Sequence, residues 1–356
     1  MTTNKLSVLT IVVVTTILFT SCQKVIGIEE TQTLPVTPYS PLNATKKSNL
    51  IQYLNHLTNC DSTIIGQHIG DIGSPYFDYA YISALTNKYG KTPGLLGVNL
   101  GWDDCSRDYS SYISYIDNFC NQGGLVTLNT SFPNPSNMKD LGSLEIVDYQ
   151  KLLKEGNPIN KHFKIILNNI GNVLQQLKDK NVIVLWRPFH EMNGGWSWYG
   201  NINHWATTEE FKSMWIYMYD YFYHERQLDN LVWVYSPNYQ NSRYEKDVLY
   251  YYPGSNYVDV AGLDYYQDNL DNLNDHNSFE MIKSLNKPVV IAEIGPSTKK
   301  DGSFNNNIYS GLTKKEIAYF MVWSSWKSTK ISLNNCQNTD SLFNNPLMLT
   351  QDEIHY

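Results

Sequence analysis

Short apolar runs alternate with amphipathic helical stretches along most of this 356-residue chain, and that alternation constrains its fold more than any other feature. Eight runs have the continuous Val, Ile and Leu content of strands buried on both faces. They are Thr63–Gln67, Leu95–Asn99, Gly124–Asn129, Val182–Arg187, Leu231–Ser236, Val258–Leu263, Pro288–Glu293 and Phe320–Ser324. Between them, Pro75–Tyr89, Tyr109–Asn121, Lys161–Lys178, Thr207–His224, Ser278–Leu285 and Lys314–Ala318 have helical character. Asn157-Pro158 and Thr207-Thr208-Glu209-Glu210 mark two helix starts, by proline and by a cap residue followed by early acids. Eight strand–helix units predict an α/β fold of the (β/α)8 TIM barrel type, in one domain over residues 42–356. A doubly wound open sheet calls for a phosphate-binding glycine turn after its first strand, and Gln67-His68-Ile69-Gly70 is not one.

The first 21 residues have the layout of a signal peptide. Lys5 precedes an apolar stretch, Leu6–Phe19, too short to count as a membrane span, and Thr20-Ser21-Cys22 follows. The small residues before Cys22 match a bacterial lipobox, which predicts a lipid on that cysteine and a lipoprotein held at the membrane. Gln23 and Lys24 follow with no acidic cluster, which points to a periplasm-facing anchor in the cell envelope. Residues 22–41 have no hydrophobic period and carry Pro35, Pro38 and Pro41, so a tether is expected there. Cys60, Cys105, Cys120 and Cys336 would lie in an oxidising compartment, which permits one or two disulfides with no pairing fixed by spacing.

Formal net charge is -7 with no run of Lys or Arg, which argues against a nucleic-acid surface. The 27 Tyr and 9 Trp offer many rings with an apolar face and a polar tip, a composition suited to sugars. His68 and His190 have no partners at ligand spacing, so neither a metal nor a cofactor is expected.

In a barrel, function collects where the strands end on the C-terminal face. Those ends carry Gln67 and His68, Trp102 with Asp103 and Asp104, Asn129, Arg187 with His190 and Glu191, Tyr265 and Tyr266, Glu293, and Trp323 with Trp326. A strand has no packing use for Arg187, His190 and Glu191 at its exit, since unpaired charge is costly to bury. Glu293 leaves the apolar run Val289–Ala292 in the same way. Glu191 ends the fourth strand and Glu293 the seventh, nearly opposite in a ring of eight. Two carboxylates so placed can flank one glycosidic bond, one protonating the leaving oxygen and one acting at the anomeric carbon.

The segment Arg187-Pro188-Phe189-His190-Glu191-Met192-Asn193-Gly194, with Trp196 and Trp198 behind it, closely resembles the acid/base signature of glycoside hydrolase family 26. Ala292-Glu293-Ile294-Gly295 resembles that family's nucleophile strand, and Gly262-Leu263-Asp264-Tyr265-Tyr266 its strand-six motif. The resemblance runs from about Gly66 to Trp326. It implies a retaining hydrolase, most often a β-1,4-mannanase acting on mannan or galactomannan, with Glu191 as general acid/base and Glu293 as nucleophile. It further implies that His190 and Tyr266 position the carboxylates, with Tyr266 preferred to Tyr265. Trp196 would pack at the cleavage point, Arg187 support the nucleophile, and Trp323 form a sugar platform. The chain departs from the family at strand three, with Thr130-Ser131 where members often have Trp-His ahead of the Asn-Pro seen here at Asn134-Pro135.

Two enzyme alternatives share these residues, a mixed-linkage β-glucanase and a β-1,3-xylanase, because no residue legibly reads the axial hydroxyl of mannose. A non-catalytic glycan-binding lipoprotein would need the aromatic platforms but not both glutamates. Long loops after strands two to four, residues 134–160 for instance, would close one end of the cleft and favour short products such as mannobiose. A monomer is expected.

Overall fold

The computed structural model describes residues 32–137, 139–240 and 245–356; the signal-like segment and Cys22 lie outside the described residues. Eight parallel strands form the barrel: β1 Thr63–Asp71, β2 Leu95–Asn99, β3 Leu125–Asn129, β4 Val184–Trp186, β5 Leu231–Tyr235, β6 Val260–Tyr266, β7 Val289–Gly295 and β8 Tyr319–Val322. Each pairs with the next, and β8 returns to pair with β1, so the sheet closes on itself. All eight expected strands appear.

The main helices are α1 Pro41–Leu57, α2 Ala80–Tyr89, α3 Ser110–Asn121, α4 Pro158–Asp179, α5 Thr208–Asp220 and α6 Ser278–Lys283. The two starts legible in sequence hold. Asn157 caps α4 through its side chain with Pro158 in the first turn, and Thr207 and Glu210 form a reciprocal capping box on α5. The helix expected at Lys314–Ala318 is absent. A 3-10 turn, Asn306–Lys314, takes its place, and Glu316 adopts a left-handed backbone (φ 57°) that stops helical continuation before Ile317 and Ala318 enter the core.

Alternation along each strand divides the core into two layers. Ile64, Leu95, Leu125, Leu185, Val232, Val234, Val260, Val290 and Met321 pack inside the barrel, where Leu50, Leu54 and Leu57 of α1 join them. Ile65, Leu96, Val126, Trp186, Trp233, Ile291 and Phe320 pack outward among the helices. The interior is full: a Cβ on Gly97 would come 2.0 Å from the sulfur of Met321.

Two expectations change. The described part of the tether, residues 32–40, is fastened to the domain. Thr33 donates to Asn168 Oδ1 (2.8 Å), Leu34 N–H to Asn172 Oδ1 (3.1 Å), and Asn172 Nδ2 to Gln32 O (3.0 Å). Lower on α4, the buried Lys178 ammonium meets Asp229 at 3.1 Å and donates to the carbonyls of Thr37 (2.7 Å) and Pro38 (3.0 Å). Polar side chains of α4 thus satisfy a backbone that has no secondary structure of its own. The second change concerns the cysteines. Cys60, Cys105, Cys120 and Cys336 are free thiols, placed respectively after α1, in the loop after β2, on α3 and after β8.

Candidate active site

Strand parity explains which polar side chains enter the mouth. Leu185 faces inward and Trp186 outward, so Arg187 faces in again. The same count from Val232 and Val234 turns Ser236 inward, and from Val260 it turns Asp264 and Tyr266 inward. On β7, however, Val290 and Ala292 are the inward residues, so strict alternation would send Glu293 out into the helix layer. A bulge prevents this. Leu263 pairs with Ile291 but Asp264 pairs with Glu293, and on the other edge Phe320 pairs with Ile291 but Val322 with Ile294. The one extra residue in β7 re-aims the Glu293 carboxylate into the barrel.

Arg187 is wholly buried and joins two of the acids. Its Nη1 donates to Asp264 Oδ2 at 2.9 Å and its Nη2 to Glu293 Oε1. The second oxygen of Glu293 accepts from Tyr266 at 2.7 Å, and the second oxygen of Asp264 from the hydroxyl of Ser236. Glu293 is therefore held by two donors in a fixed orientation. Burial and the Glu293 charge push the Asp264 carboxyl upward, opposed by the contact with Arg187. Burial and the same carboxylate hold the Tyr266 hydroxyl protonated, well above the usual phenol range.

Glu191 sits on a strained loop. Phe189 and Glu191 both have left-handed backbones (φ 48° and 54°), a conformation that costs non-glycine residues roughly 1–2 kcal/mol each. The Glu191 N–H bonds Ser236 O at 2.8 Å, and its carbonyl accepts from Gly194 N at 2.9 Å, which fixes the turn. The absence of a side chain at Gly194 leaves room for the Trp196 indole, which lies across it; a Cβ would come 2.2 Å from the ring. That indole donates to Glu191 Oε2 at 2.8 Å. Burial first, and then the charge of Glu293, push the Glu191 carboxyl up to about 8. Glu191 is accordingly protonated at neutral pH.

The expected residues converge on one cleft, lined by Trp102, His190, Glu191, Trp196, Tyr266, Glu293 and Trp323. Burial and the Arg187 charge drive the His190 imidazole well below its usual range, so it is neutral, and its Nδ1 has no partner among the described residues. Trp323 stacks on His68 with centroids 3.7 Å apart and planes 13° from parallel. Other candidates belong to the scaffold. Tyr265 turns away to Asn269 O, Gln67 accepts from Leu333 N, Asp103 pairs with Arg107, and Trp326 lies near Lys300, while Trp198 reaches the cleft wall with its indole N–H held by Phe132 O.

Sequence reasoning gave no role to Asp264, Ser236 or Asp71. Asp264 was detectable, since an acid at an inward strand position opposite an inward Arg is an ion pair in waiting. Asp71 lies at the end of β1, which runs four residues past its expected end, and it accepts the Trp102 indole N–H at 2.9 Å.

One carboxylate oxygen each from Glu191, Asp264 and Glu293 lie within 4.8 Å of one another. That spacing is shorter than the roughly 6.5–9.5 Å an inverting pair keeps for a water beside the sugar, so one carboxylate can attack directly what the other protonates. A protonated acid beside a fixed carboxylate, at a barrel mouth walled by indoles, defines a glycoside hydrolase. The chain belongs to glycosyl hydrolase family 26, whose sequence profile matches residues 39–353. It is 35% identical over 335 residues to a mannan endo-1,4-beta-mannosidase A and B of Caldalkalibacillus mannanilyticus, matching 88% of this chain and 62% of that relative's length. It is 28% identical over 340 residues to the mannan endo-1,4-beta-mannosidase of Bacillus subtilis, matching 90% of this chain and 89% of that one. A solved structure of a Bacillus subtilis mannanase superimposes with a TM-score of 0.78 at 26% identity, covering 91% of this chain and 97% of that chain.

Proposed function

We propose that this chain is a retaining mannan endo-1,4-β-mannosidase, with Glu293 as nucleophile and Glu191 as general acid/base. The observation that carries the mechanism is the pair of unlike carboxyl groups within 4.8 Å, one held by Arg187 and Tyr266, the other pushed up to about 8. The substrate rests on the relatives named as mannan endo-1,4-beta-mannosidases.

In the first step a Glu293 oxygen attacks the anomeric carbon. The bond from that carbon to the leaving oxygen breaks, and Glu191 gives its proton to the departing sugar. The glycosyl ester so formed removes the Glu293 charge. Its repulsion was the second-largest cause of the raised Glu191 carboxyl, so Glu191 becomes easier to leave ionised and serves as a base. In the second step Glu191 takes a proton from water, the oxygen attacks the same carbon, and Glu293 is released. Two inversions give net retention. His190, neutral and lining the cleft, is placed to meet a hydroxyl of the sugar under attack, and Trp323 offers a flat face in the same cleft.

The deciding experiment is a time-resolved product profile of residues 23–356 on linear β-mannan, with mixed-linkage β-glucan alongside. Hydrolysis of mannan with retained anomeric configuration is expected, and turnover of the glucan alone would overturn the substrate. A smooth ladder of early products means internal cutting; a single short product means cutting from chain ends. The envelope location, the lipid on Cys22 and a monomeric state belong to the same reading. Mass spectrometry of the mature N-terminal peptide and sedimentation test them, and an unmodified Cys22 would overturn the anchor.

A further inference from the structure

The Glu191 side of the cleft is walled by an aliphatic shelf that none of the catalytic steps uses. Leu141, Gly142, Ser143 and Leu144, from the excursion after β3, line the same cleft as Glu191 and Trp196. Leu144 is 48% exposed, Ile202 48% and Trp196 49%. Large apolar side chains this open are ordinary when scattered, but Leu144 and Trp196 line one cleft and Ile202 lies against Gly195, next to Trp196.

The shelf is rigidly built from two loops. Fully buried Asn134 donates through Nδ2 to Ser143 O (3.0 Å) and Glu145 O (2.8 Å), while its backbone N–H bonds Leu141 O at 2.9 Å. Asn201, in the excursion after β4, donates to Leu144 O at 2.5 Å and so ties the Leu144 loop to that of Ile202. Ile202 N–H bonds Gly195 O at 2.9 Å, next to Trp196. Asn134 and Asn201 are both buried, so their bonds hold the exposed aliphatic groups from beneath.

We propose that Leu144 and Ile202, continuous with Trp196, form the platform for the leaving part of the β-linked hexose chain. This rests on the mannanase reading above, in which Glu191 protonates the leaving oxygen. The departing sugars must then lie on the Glu191 side, where the shelf is. It offers C–H surface to the apolar face of a pyranose and no charged donor to orient it. Grip there depends on area, so it selects chain length rather than hydroxyl pattern. A sugar arriving as acceptor during the second step binds the same shelf, and the shelf sets how the glycosyl-enzyme divides between water and sugar.

The test is a Leu144→Ser/Ile202→Ser double variant beside a conservative Leu144→Met/Ile202→Val control, both checked for a wild-type melting temperature. Three readouts are taken: KM on mannopentaose, kcat/KM on an aryl β-mannobioside with a compact phenol leaving group, and the ratio of transfer to hydrolysis with added mannotriose. The serine variant should raise KM about tenfold and lower the transfer ratio about tenfold, for roughly 1.4 kcal/mol of lost apolar burial. Aryl glycoside turnover should change far less than KM on mannopentaose, and the conservative control should stay closer to wild type than the serine variant in all three readouts. A serine variant equal to wild type in KM and transfer ratio, in a chain that cleaves mannan, overturns the platform alone. A wild-type chain that cleaves neither substrate overturns the mannanase reading and the platform with it.

Discussion

The indole nitrogen of Trp196 stands 2.8 Å from Oε2 of Glu191, so the residue that walls the cleft also donates a hydrogen bond to the acid. This bond draws the Glu191 carboxyl downward, against burial and against Glu293, which raise it. With Glu191 pushed up to about 8, kcat/KM should fall on the alkaline side through that region as the acid is lost. Trp196→Phe removes the donor and should move the alkaline limb to higher pH. A pH profile on a substrate with a poor leaving group measures both, and a limb unmoved in the variant would show that the bond does not tune the acid.

The same shift carries a stability signature. Glu191 has a folded value above its ordinary 4.5, so its contribution is fully present below that value and is lost as pH rises toward about 8. Glu191→Gln is neutral throughout. The variant should therefore melt above wild type at pH 8 to 9, with the gap closing by pH 5, as read by calorimetry across that range.

Removing the two glutamates should have different consequences. Glu293→Ala should lose activity on the order of 10⁴-fold or more on every substrate, since no bond to the sugar can form. Glu191→Ala should lose about 10³-fold on mannan yet keep its first step on an aryl mannobioside whose phenol leaves without a proton. Rapid-quench kinetics with a dinitrophenyl substrate checks this, and a burst in Glu191→Ala alone is the expected outcome.

Arg187 lies fully buried between two carboxylates. Arg187→Met should cost about 3–5 kcal/mol by leaving Asp264 and Glu293 without their counter-charge. Adding Asp264→Asn should recover part of that stability, because the pair is coupled. Urea unfolding of the single and double variants measures the recovery, and strictly additive losses would contradict the coupling.

Lys178 holds residues 37 and 38 as well as Asp229. Lys178→Met should cost about 3–5 kcal/mol and open residues 33–40 to proteolysis while the barrel stays folded. Limited digestion followed by mass spectrometry locates the cut, and protection equal to wild type would contradict the assignment.

Much of this was legible in the chain. The eight apolar runs marked every barrel strand because strands buried on both faces need continuous Val, Ile and Leu. The strand-four and strand-seven exits showed the glutamates because charge has no packing role there. Glu293, however, points inward only through the bulge at Ala292–Glu293, and hydrophobic period alone gives it the opposite face. Asp264 lies within the Gly262–Tyr266 motif, but its role depends on Arg187 of another strand, a contact separated by 77 residues. Asp71 stayed hidden because β1 continues past its apolar run. The mooring of residues 32–40 was invisible for another reason: it uses backbone carbonyls and asparagines, which leave no periodic trace.

That mooring has a mechanical meaning. Traction on the upstream end of the chain first reaches α4 through Asn168, Asn172 and Lys178, on the outer wall of the barrel. The strands that carry Glu191 and Glu293 lie one layer further in. A pull applied ahead of residue 32 would thereby be taken up by a helix before it reached the strands beneath the cleft.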